Sequence, residues 1–85
     1  MKPTVNLNGT SRESLIADRM AAMDAIYQAI EATRKLLPHG RDYPGNAEQY
    51  HADRDLHVQR IMAMSKIMED IGQEALALSR EGETA

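Results

Sequence analysis

The chain has 85 residues, a formal charge of −3 and no Phe, Trp or Cys. Such a length supports one small domain, and with neither large rings nor disulfides its stability must come from regular helix packing, self-association or both. The missing Cys excludes thiolate catalysis and Cys-type zinc sites; scattered Lys and Arg under a net negative charge argue against DNA as a partner. No apolar run approaches the roughly 18 residues of a membrane span, and no targeting or lipidation motif is present. The expected setting is the cytoplasm, with no membrane contact.

Residues 1–9 begin with Lys2-Pro3 and alternate weakly through Thr4, Val5, Asn6 and Leu7, which predicts an extended arm suited to lie on a neighbouring chain. Asn8-Gly9-Thr10-Ser11 then opens a helix. Thr10 with Glu13 fits a capping box, and Ser11 is the alternative cap. The first helix is predicted over about residues 11–37, with Ile16, Met20, Met23, Tyr27, Ile30 and Leu37 on its seam and Arg34 filling the one gap. Leu15, Ala22, Ile26, Ala29 and Leu36 widen that stripe into a bundle face.

Pro38 ends the pattern, because its ring disfavours helical geometry at Leu37 and it offers no N–H. A corner over residues 38–46 follows, with Pro44-Gly45 as a turn and Asn46 with Gln49 as the next cap. The second helix is predicted over about residues 47–79, its seam reading Tyr50, Arg54, His57, Ile61, Met64, Met68, Ile71, Ala75 and Leu78. Met20, Met23, Met62, Met64 and Met68 suit adaptable core packing. Residues 80–85 read as a flexible tail.

The expected fold is all-α: two long antiparallel helices forming a helical hairpin over residues 10–79, with the extended arm before it. A corner that turns at once sets Tyr27 opposite His57, Ile30 opposite Arg54, Arg34 opposite Tyr50, Met20 opposite Met64 and Ile16 opposite Met68. A lone hairpin leaves an apolar side in water, at roughly 25 cal/mol per Å². Assembly with itself, as a homodimer or larger homo-oligomeric helix bundle, is the expected remedy.

Two polar clusters are candidate ligand sites. At the first helix start, Asn8, Gly9, Thr10, Ser11 and Arg12 combine free N–H groups, hydroxyls and a guanidinium, a set that suits phosphate, or else simply caps the helix. At the corner, His39, Gly40, Arg41, Asp42 and Tyr43 hold more polar chemistry than a turn requires. Arg41 suits a phosphate or carboxylate, Tyr43 a base, Asp42 a ribose hydroxyl or base amine, and His39 an anion. The alternative has Asp42 paired with Arg41, Gly40 capping the helix and Tyr43 covering the bundle end.

A helix of about 27 residues spans roughly 40 Å, so these clusters lie at opposite ends of one hairpin. Only head-to-tail pairing of two chains brings them together, making junction pockets for a nucleotide. Tyr27, Arg34, Tyr50, Arg54 and His57 either extend such a pocket or turn outward to solvent and the bundle end. Asp53 with His57, and His51 with Asp55, have i,i+4 spacing but read as exposed pairs, so no metal site is expected. No nucleophile is set beside an oriented base, so no catalytic residue, enzyme activity or cofactor is expected.

The Val5–Ser11 opening, the helix, Pro38-His39-Gly40-Arg41-Asp42-Tyr43 and the second helix together resemble small accessory proteins of bacteriophages and prophages. Small all-helical phage proteins of this kind include sponges that sequester nucleotide immune signals, such as the anti-CBASS cyclic-nucleotide sponge and the Thoeris anti-defence proteins. The resemblance implies a phage setting. The expected function is a non-enzymatic anti-defence protein holding a cyclic oligonucleotide or cyclic ADP-ribose-type signal between subunits. The alternative is a helical adaptor or inhibitor docking on a host defence complex.

Overall fold

A computed structural model describes residues 1–5 and 9–84, with side chains described through Glu81. Helix α1 spans Arg12–Arg34 and helix α2 spans Ala47–Thr84, packed against each other as an antiparallel hairpin within a rod of 64 × 18 × 16 Å. Among the described residues there is no strand.

Ser11, not Thr10, caps α1: its backbone is extended and its Oγ accepts the Ser14 N–H at 3.1 Å. The helix closes three residues earlier than the pattern predicts. Lys35, Leu36 and Leu37 donate to Ala32, Thr33 and Arg34 carbonyls, a tightened last turn that unwinds before Pro38 can clash. Gly40 is therefore not its cap; Gly40–Asp42 form a single 3-10 turn instead. Tyr43-Pro44-Gly45-Asn46 makes the real reversal, with Asn46 N–H donating to Tyr43 O at 3.0 Å and Gly45 at φ +72°. Pro followed by a left-handed Gly is the chemistry of a type II turn. Asn46 Oδ1 then accepts the Gln49 N–H at 3.1 Å and starts α2. At the far end α2 continues through residues 80–84, where a flexible tail is expected from sequence. Gly82 by itself costs a helix only about 1 kcal/mol.

The register differs from the sequence expectation by a slide of roughly ten residues, about 15 Å along α2. Arg19 meets Glu74 at 3.0 Å, Met23 lies over Gly72, and Arg34 shares a groove with His57 and Ile61 rather than facing Tyr50. The cause is the connector, which does not turn at once. It runs on beside the first turns of α2, with the Tyr43 ring 5.6 Å from that of Tyr50, and reverses only at Pro44-Gly45.

The buried seam of α2 matches the pattern except that Asp53, not Arg54, turns inward. On α1 the seam rotates. Ile16, Arg19, Met23, Ile26, Ile30 and Thr33 are covered, whereas Met20 and Tyr27 are 53% and 50% exposed. One neighbour helix covers one stripe of a wide apolar face, and the stripe holding Arg19 wins because its stem packs while its guanidinium reaches Glu74. The resulting core is thin: only Ile30, Ala75 and Leu78 are buried apolar side chains among the described residues.

The arm lies on its own chain. Residues Met1–Val5 adopt no regular structure, and the Met1 ammonium sits 3.0 Å from Glu74 Oε2 beside Ala77 and Leu78 of α2. Within this single chain, Glu74 holds the start of the arm in cis.

Candidate functional site

At the α1 start, Gly9 and Thr10 are exposed and Ser11 is occupied as the cap, with its hydroxyl also donating to Ser14 Oγ at 3.0 Å. Arg12 is half-buried, and its Nε is enclosed without a hydrogen-bond partner among the described residues. Asn8 lies outside the described residues. This end behaves locally as a capped helix with one guanidinium folded against it.

The corner is more organised than a solvent loop. The extended backbone at His39 lets its Nδ1 accept the Arg41 N–H at 3.3 Å, which starts the 3-10 turn. Gly40, Arg41 and Asp42 are exposed. No ion pair forms between Asp42 and Arg41, and both side chains face solvent. Tyr43 is half-buried; its Oη donates to Asp53 Oδ2 at 2.7 Å, while Gln49 Nε2 donates to Asp53 Oδ1 at 2.7 Å. The carboxylate accepting the phenol proton, aided by partial burial, raises the Tyr43 pKa above its ordinary 10.0.

Gly40, Tyr43, Gly45, Asn46, Ala47 and Tyr50 line an open depression of about 480 Å³ at the α2 start. Tyr43 and Tyr50 supply its two rings. Asp53 and Gln49 hold Tyr43 in place, a role that sequence spacing does not single out. The signal present was Gln49 and Asp53 at i,i+4 on one helix face, with Asp53 ten residues from a tyrosine beside a proline turn.

The two predicted clusters remain apart within one chain, since α1 alone spans about 34 Å. Of Tyr27, Arg34, Tyr50, Arg54 and His57, only Arg34 and His57 come together, in a groove of about 370 Å³. Tyr27 and Arg54 are exposed, and Tyr50 belongs to the corner. Asp53 is engaged by Tyr43 and Gln49, and His51 stacks beside Tyr50 at 5.4 Å. Among the described residues no three His, Asp or Glu side chains converge in a metal-binding set, and no helix is long and apolar enough to cross a membrane.

No protein-family model, no curated protein and no solved structure matches this chain.

Proposed function

We propose that this protein is a non-enzymatic binding module that works as a homo-oligomeric helix bundle and holds a nucleotide-derived ligand between its subunits. The observation that carries self-association is surface area. The chain exposes 6543 Å², against about 5,000 Å² for a compact protein of 9.5 kDa. A standard interface hides about 800 Å² per partner, well within that surplus. Met20, Tyr27, Val58 and Met62 are among the large apolar side chains left in water, and Met62 is 65% exposed. Light scattering on the wild type is expected to give a dimer or larger species. Met62→Glu, harmless to a free hairpin, is expected to give a helical monomer; a monomeric wild type overturns the reading.

The corner supports the ligand. Head-to-tail pairing sets Gly9–Arg12 of one chain near His39–Tyr43 of another, where exposed Arg41 suits phosphate and the Tyr43–Tyr50 rings suit a base. A cyclic oligonucleotide or cyclic ADP-ribose-type signal fits that chemistry, and sequestering it fits the phage anti-defence role implied by the resemblance. Calorimetry against a nucleotide panel tests this, with heat expected for the wild type and none for the Arg41→Ala/Tyr43→Ala double variant.

A second reading, a helical adaptor or inhibitor on another protein, is favoured by the same apolar face together with the net charge of −3. It predicts a free monomer that becomes saturated only by a protein from host lysate.

A further inference from the structure

Where α1 ends against α2, Arg34, Leu37, His57, Val58, Ile61 and Met62 line a groove of about 370 Å³, within the size range of small-molecule sites. Its walls are apolar apart from two nitrogen-bearing groups, and no carboxylate lines it. His57 is only 9% exposed and makes no hydrogen bond with any described residue. Its ring nitrogens are not enclosed and still reach solvent, so an acceptor entering the groove can replace water on the N–H. Arg34 keeps its Nε on Glu31 Oε1 at 3.3 Å and makes no Nη bond among the described residues.

We propose that this groove binds a small amphipathic carboxylate. The head accepts from Arg34 Nη and from the N–H of His57, and the body lies on Leu37, Val58, Ile61 and Met62. A single guanidinium already shared with Glu31 matches a monoanion, and its planar fork suits a carboxylate. The walls carry no aromatic ring besides the imidazole, which favours an aliphatic body over a nucleobase. The groove is complete within one chain and separate from the corner; Val58 and Met62 also belong to the face proposed for self-association, so ligand and partner chain would compete for these two side chains.

The test is a methyl NMR titration of the full chain with octanoate, with 1-octanol as the neutral control. Octanoate is expected to move the Leu37, Val58, Ile61 and Met62 methyls saturably, at least tenfold more tightly than octanol. Arg34→Gln and His57→Leu are each expected to abolish that preference while leaving octanol binding unchanged. His57→Gln, which retains an N–H donor, serves where the Leu variant loses helicity, and is expected to keep part of the preference. Equal affinity for the two probes, shifts spread along the whole rod, or methyl shifts that follow protein concentration but ignore octanoate each overturn the proposal.

Discussion

Tyr43 Oη donates to Asp53 Oδ2 across 2.7 Å and so fastens the connector to α2, ten positions further along the chain. The bond explains why the chain passes the first turns of α2 before reversing. It also makes the corner sensitive to alkali.

Because the folded Tyr43 pKa lies above the unfolded value of 10.0, its contribution to stability is complete below that pH and is lost as pH rises through the folded pKa. Absorbance titration at the phenolate band is expected to show one of the three tyrosines ionising late. Asp53→Asn should return that tyrosine to its ordinary range, and Tyr43→Phe should remove the late step.

Glu74 gives the opposite dependence. The Met1 ammonium at 3.0 Å lowers its pKa most; partial burial opposes this, and Arg19 adds to the lowering. A folded pKa below the unfolded 4.5 contributes stability above that pH, lost as pH falls through the folded value. Thermal melts between neutral pH and pH of about 3 should show a falling midpoint in the wild type. Glu74→Gln should start lower and change less.

Gly72 sits in the middle of α2, where Ala would add helix propensity of roughly 1 kcal/mol. The added Cβ would stand 3.1 Å from Met23 Cε, the free end of a flexible thioether that turns aside easily. Gly72→Ala is expected to stabilise the hairpin by a few tenths up to about 1 kcal/mol in urea denaturation. Gly72→Leu is expected to destabilise it, since its branches reach the Met23 stem.

Ile30 is 4% exposed and is the one buried apolar residue that α1 contributes among those described. Ile30→Ala should cost about 2–3 kcal/mol in urea denaturation, the lower part of the range for buried isoleucine because the thin core allows collapse. In so small a domain that is a large share of the total stability.

The helices were legible because each has a periodic face and a local boundary: Asn46 with Gln49 marks the α2 start, and the α2 seam from His57 to Leu78 is inward as its spacing implies. The register was not legible. Periodicity fixes which residues share a face but is silent on sliding, and sliding was decided by Tyr43 binding Asp53 and by Arg19 binding Glu74. The rotation on α1 has a related cause, since Met20–Tyr27 and Arg19–Ile26 are stripes of similar quality and a single partner helix covers one. At the candidate site, the polarity of residues 39–43 was visible. The depression was not, because Tyr50, Asn46 and Ala47 enter it only through the type II turn.

The offset between the helices gives the rod a stepped outline, with a ledge of α2 protruding beyond the last turn of α1 and roofed only by the strap from Pro38 to Tyr43. Steps interlock when two identical pieces are inverted against one another, and leave a gap when they point the same way. If copies of the chain pair as proposed, this outline favours the inverted arrangement over the parallel one.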